Sequence, residues 1–173
     1  SSAWCQAVLD HVGRNHVPNV ILVANWPWYY CHDAAFSEET VLGFGVQLAE
    51  TTRALSQTGT RVLILKTVPA QSLDYRISMA KALLSGQEVS VAGVARSTAF
   101  NRSEEEDRVF ELAMSSGAII LDPVPSFFNA RETCLLEDSG HLLFGDNNHV
   151  SASGALFIKD VFQPIFKPQT QLP

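Results

Sequence analysis

Val62-Leu63-Ile64-Leu65 stands between Arg61 and Lys66-Thr67-Val68-Pro69. It is a short, unbroken apolar run that stops near a proline, which cannot donate to a strand ladder. A run without polar alternation is the pattern of a strand covered on both faces, as in parallel sheets. Val20-Ile21-Leu22-Val23-Ala24 and Ala118-Ile119-Ile120-Leu121 read the same way, the latter ending in Asp122-Pro123. Leu142-Leu143-Phe144 adds a fourth, shorter run.

The intervals between these runs have helical spacing. Trp4, Val8 and Val12 mark a helix over 3–15, closed by Pro18, and Val41, Leu42, Val46, Leu48 and Leu55 mark a long one over 38–57, closed by Gly59. A third covers 73–84 and leads into Gly86. Ser103 with Glu106 makes a capping box for a fourth, ended by Gly117. The last runs over 153–166, and 87–102 reads as an irregular crossover. Strands alternating with helices predict an α/β fold: right-handed βαβ units in an open parallel sheet with helices on both faces. The 173 residues, 46% hydrophobic, suit a single domain with a substantial core.

Composition excludes some functions. A net charge of -6 argues against nucleic-acid binding, which needs a clustered basic surface. The longest apolar runs fall far short of the roughly 20 residues that span a bilayer. The chain starts without Met and without a leader pattern, so the expectation is a piece of a longer protein. Cys5, Cys31 and Cys134 form no paired zinc spacing. They suit either one disulfide with a leftover thiol or three small buried side chains.

Ligands of parallel sheets gather beyond the carboxyl ends of the strands. Asp146 and His149 lie three residues apart, after the last apolar run and before the last helix. A carboxylate there can accept the Nδ1 proton of the imidazole, fix its tautomer and leave Nε2 to deprotonate a serine hydroxyl. Asp-x-x-His alone also occurs as an ordinary surface turn. Asn25, at the end of the first run, fits a strand-end cap or turn. Trp26, Trp28, Tyr29 and Tyr30 follow it. Such rings either pack a loop over the sheet or floor a sugar-binding groove; packing is favoured for Trp26. His141, Asp146 and His149 have the residue types of a metal site but no zinc spacing, and His11, His16 and His32 read as surface residues. Asn101-Arg102-Ser103 matches a glycosylation sequon, although Ser103 serves better as a cap. No Gly-rich phosphate loop follows a strand, which places a nucleotide-binding α/β domain last.

Asp146-Asn147-Asn148-His149-Val150-Ser151-Ala152-Ser153-Gly154-Ala155, set before an apolar helix, closely resembles the last sequence block of SGNH hydrolases. The likeness is sharpest to SGNH domains fused behind acyltransferase-3 membrane domains, whose pattern is Asp-x-x-His-Leu-Ser-x-x-Gly-Ala; Val150 replaces the Leu. Cys5 with its helix, Val20 to Trp26 with Tyr29, Thr67-Val68-Pro69, and Leu121-Asp122-Pro123 ahead of Cys134 look like other stretches of that group. The resemblance implies a flavodoxin-like SGNH fold and His149 as general base oriented by Asp146. It also implies Asn25 as the oxyanion donor, without the family's Gly-x-Asn, and Trp26, Trp28 and Tyr29 beside the substrate. The implied activity is acyl transfer or ester hydrolysis on carbohydrate hydroxyls, favouring O-acetylation of a bacterial surface polysaccharide. An acyltransferase-3 membrane domain in the same polypeptide and a periplasmic location go with it; no cofactor and no metal are implied.

The family's nucleophile sits in a Gly-Asp-Ser block after the first strand, and no Gly-Asp-Ser occurs in these residues. The first strands are therefore expected upstream, because without them the strand at 20–24 would have an unpaired edge. Ser72 is the one substitute on the right side of a strand, and it lacks the sharp turn that exposes a nucleophile. A missing nucleophile equally suits an inactive SGNH-like domain that binds glycan or positions a partner.

Overall fold

The computed structural model describes residues 3–30, 37–71, 75–88, 93–99 and 103–167. Cys31, His32, Ser72, Asn101 and Arg102 lie outside them. The described residues divide into two compact units, one from Ser1–Lys66 and Arg102–Leu121, the other from Thr67–Asn101 and Asp122–Pro173.

In the first unit the order is α1 (Ala3–Arg14), β1 (Asn19–Val23), α2 (Pro27–Tyr30), α3 (Glu38–Ser56) and β2 (Arg61–Leu65). The second unit contributes α4 (Tyr75–Leu84) and α5 (Arg96–Ala99) before the chain returns to the first with α6 (Ser103–Ser115) and β3 (Ile119–Leu121). All three expected buried runs are strands of one parallel sheet, ordered β1-β2-β3. Asn19 faces Arg61 and Val23 faces Leu65; Leu63 faces Ile119 and Leu65 faces Leu121. The fold is therefore the mixed α/β class expected, with β1 at one edge of the sheet.

The period of two in a strand sends Val62 and Ile64 to one face and Leu63 to the other. On the first face, Val41 and Leu48 of α3 and Val109, Phe110 and Ala113 of α6 close around Ile64. Val12 of α1 and Leu55 of α3 close around Val62. Burying each large apolar side chain is worth about 1.5–3 kcal/mol, so this face accounts for much of the unit's stability. Helices α3 and α6 meet at Gly45, where a β-carbon would stand 2.9 Å from Leu112 Cδ1. On the opposite face Leu63 is buried, whereas Ile21 and Val23 of β1 are exposed. Helix α3 opens on Ser37, whose side chain accepts from the Thr40 amide, and carries Glu38 and Glu39 in its first turn. That is a favourable N-terminus for a helix dipole. Helix α6 begins at Ser103 itself, so the expected cap is the first helical residue.

The second unit departs from expectation in two places. Leu142-Leu143-Phe144 is not a fourth parallel strand. β4 (Glu137–Asp138) and β5 (His141–Leu142) form an antiparallel hairpin. The cause is local: Ser139 and Gly140 have φ of 51° and 82°, and two successive positive φ values make the turn whose twist suits a two-residue hairpin. The expected final helix is also broken into α7 (Ala152–Phe157), a 3-10 turn at Lys159–Phe162 and α8 (Gln163–Phe166). Pro164 sits in the first turn of α8, where its missing N–H is tolerated, and the end of α7 at Ile158 precedes it.

The core of this unit gathers Phe127, Cys134, Leu136, Leu143, Phe144 and Ile158, with Phe127 and Phe144 ring centroids 5.1 Å apart. Helix α7 is tied to it at one point of close approach: a β-carbon on Gly154 would lie 2.0 Å from the Leu143 carbonyl oxygen. Gly154→Ala is accordingly expected to lower stability by about 1–3 kcal/mol. The check is a shift of the urea midpoint at constant m value; an unshifted midpoint would mean that α7 moves off Leu143 without cost.

Candidate functional site

The chain turns back on itself directly beyond the hairpin. Phe144 and Val150 form an antiparallel bridge, and the Gly145 amide donates to the His149 carbonyl at 2.8 Å. Between them Asp146 folds its side chain over the loop. Its Oδ1 accepts from the Asn148 amide at 3.0 Å and the His149 amide at 2.7 Å. The first of these is an Asx turn, in which a short acidic side chain replaces a backbone acceptor. Oδ2 stands 2.7 Å from His149 Nδ1.

These bonds prefer an ionised carboxylate. The Asn148 amide first, then the His149 ring and the His149 amide, hold the Asp146 carboxyl down from an ordinary 3.8 to about 2. An ionised Asp146 favours the proton of a neutral imidazole on Nδ1, which leaves the Nε2 lone pair free. The His149 side chain is 75% exposed, so Nε2 is open to a reactant.

The rest of the block is structural. Ser151 is the N-cap of α7: its Oγ accepts from the Gly154 amide at 3.0 Å and donates to the Leu142 carbonyl at 2.5 Å. Its amide donates to the Leu143 carbonyl at 2.9 Å. The hydroxyl thus fixes where the loop ends and the helix begins. Gln71, which carries no motif, also reaches this loop: its backbone N–H donates to the Asn147 carbonyl at 2.6 Å. Only the folded chain brings these two stretches together.

In the first unit, Asn25 follows β1 and is exposed. Its carbonyl accepts from the Trp28 amide at 3.0 Å, so the turn is made by backbone and not by the side-chain amide. Trp26 does not line a groove. It is 5% exposed, packed edge-on to Phe110, with its indole N–H donating to the Leu65 carbonyl at 2.7 Å. An indole bonded inside a core has no face to offer a substrate. Trp28 and Tyr29 are exposed, Tyr29 stacked on Phe44 with centroids 5.6 Å apart, and Tyr30 is buried. A four-residue helix puts neighbouring side chains on different sides, which sorts the aromatic run.

Cys134 is a buried thiol, and burial raises it to about 11. His11, His16 and His141 are exposed. Among the described residues no three His, Cys, Asp or Glu side chains gather in a way that could hold a metal ion. Nor is any described helix long and apolar enough to cross a membrane.

Residues 1–164 match the family model of the SGNH domain fused to AT3 domains; the chain belongs to that family. Among solved structures it is similar to the periplasmic domain of a lipopolysaccharide acetyltransferase from Salmonella ser. Paratyphi A, with a TM-score of 0.68 and 12% identity. The alignment covers 94% of this chain and 62% of that domain, so the chain spans about three fifths of its structural neighbour. Identity that low establishes a shared fold. No curated protein sequence matches significantly.

The carboxylate geometry carries a direct prediction. In a 13C titration the Asp146 carboxyl is expected to have its midpoint at about 2. Because the folded value is depressed, the stabilisation is full above the ordinary carboxylate range and disappears as pH falls through that midpoint. In His149→Ala the midpoint is expected to rise only part of the way to 3.8, because the Asn148 amide still donates. A rise to the full ordinary value would show that the ring alone sets it.

Proposed function

We propose that this chain carries the acid-base half of a serine acyltransferase or esterase acting on carbohydrate hydroxyls. The observation that supports it is the 2.7 Å contact between Asp146 Oδ2 and His149 Nδ1, made by a carboxylate whose other oxygen is already held by two backbone amides. Asp146 orients the ring and balances the imidazolium, and His149 Nε2 takes the proton of a serine hydroxyl. The serine attacks the acyl carbonyl, and the tetrahedral intermediate collapses to an acyl-serine as the bond to the donor's leaving group breaks and that group departs with the proton held by His149, which returns the ring to its neutral form. His149 then deprotonates the acceptor hydroxyl, of a sugar for transfer or of water for hydrolysis. Asn25 is assigned as a donor to the oxyanion, and Trp28 and Tyr29 as a sugar-facing aromatic surface.

The reading places the serine on a segment outside residues 1–173, so that these residues form part of one SGNH domain. Two observations support this: no Gly-Asp-Ser occurs among them, and among the described residues β1 pairs on one side only, with Ile21 and Val23 exposed on one face. Membership of a family of AT3-fused domains, and likeness to the periplasmic domain of a lipopolysaccharide acetyltransferase, favour O-acetylation of a bacterial surface polysaccharide. In that setting the partner is an acyltransferase-3 membrane domain of the same polypeptide, and this domain faces the periplasm. The same absence of Gly-Asp-Ser supports the second reading, a glycan-binding domain without turnover.

Hydrolysis of p-nitrophenyl acetate by the full-length protein separates the two. Under the enzymatic reading, His149→Ala is expected to lower kcat by about 10³-fold and Asn25→Ala by about 10²-fold, with folding retained. A full-length wild type that fails to hydrolyse the ester, yet retains glycan, would favour the binding domain.

A further inference from the structure

The loop 145–149 is short and polar, and the 2.6 Å bond from the Gln71 N–H to the Asn147 carbonyl reaches it from a distant part of the chain. A backbone amide does not depend on its side chain for chemistry, but it does for position. The Gln71 side chain is turned inward: the residue is 5% exposed, and Nε2 stands 3.0 Å from Cys134 Sγ. Cys134 is itself fully buried among Phe127, Leu136, Leu143 and Phe144, with its amide bonded to the Val94 carbonyl at 2.9 Å. Gln71 is thus pinned at one end in the core and at the other to the loop that carries His149.

A purely filling role fits Gln71 poorly. Among the described residues its Oε1 is buried without a hydrogen-bond partner, a condition that costs stability and that a leucine of similar size would avoid. We propose that Gln71 is a positioning residue for the Asp146–His149 pair: its bond to Cys134 sets the register in which its amide holds Asn147. The inference rests on the reading of that pair as the acid-base machinery. Its principal test does not require turnover.

Gln71→Leu removes the bond to Cys134 and keeps the volume. In the full-length protein, deuterium uptake across 144–150 is expected to quicken about tenfold, the change in opening that loss of one anchoring bond produces. The melting temperature is expected to stay level or rise. With p-nitrophenyl acetate, kcat is expected to fall about tenfold while KM stays within about twofold. Uptake unchanged at 144–150, or raised equally throughout the second unit, would overturn the proposal. Should the variant fail to fold, Cys134→Ala and Cys134→Ser decide. Serine keeps an acceptor for Nε2, so a loop loosened in the alanine variant and held in the serine variant supports the proposal. Equal behaviour of the two overturns it. A wild type without esterase activity would count against the enzymatic reading alone, since exchange at 144–150 still reports on Gln71.

Discussion

Asp146 satisfies three donors with two oxygens, and the form of the loop follows from that demand. Two donors are backbone amides of the next three residues, which draws the chain into a tight turn before the imidazole is considered. The ring then completes the set from a position the turn has already fixed. An exposed ion pair on flexible side chains contributes little because both partners lose freedom in forming it. Here most of that freedom is removed by the loop. The pair sits at the surface, where a reactant can meet Nε2, yet its geometry is set by backbone.

A second constraint operates where the loop joins the body of its unit. Leu143 uses its carbonyl for the Ser151 amide while Gly154 crosses it closely enough to exclude any side chain. Beneath them Phe127, Phe144 and Phe157 pack at centroid distances of 5.1 and 5.9 Å. Rigid aromatic packing below and a capped helix behind are the surroundings in which a histidine can be held within the tolerance that proton transfer requires.

The parallel strands were legible because each is an apolar run too short for a helix and bounded by Pro, Gly or Asp. The Asp146–His149 pair was legible because Asx turns and their partners are local in sequence. Ser139-Gly140 was the missed signal: a serine-glycine pair between two short segments marks a hairpin, but the apolar run at 142–144 draws the eye to a strand. The packing of Trp26 was legible, but the bond that anchors it to Leu65, 39 residues away, was not. Gln71 was invisible for a similar reason. Its partners, Asn147 and Cys134, are set by tertiary packing, and a glutamine after a proline-containing loop suggests neither.

The letters of the terminal block divide by what they answer to. Under the proposed enzymatic reading Asp146 and His149 answer to proton transfer, whereas Ser151 and Gly154 answer to the start of a helix and the thickness of a backbone crossing. A descendant that had lost its nucleophile would be released from the first demand and still bound by the second. In such lineages serine and glycine should outlast aspartate and histidine, so the order in which the block erodes would record whether turnover or architecture is being preserved.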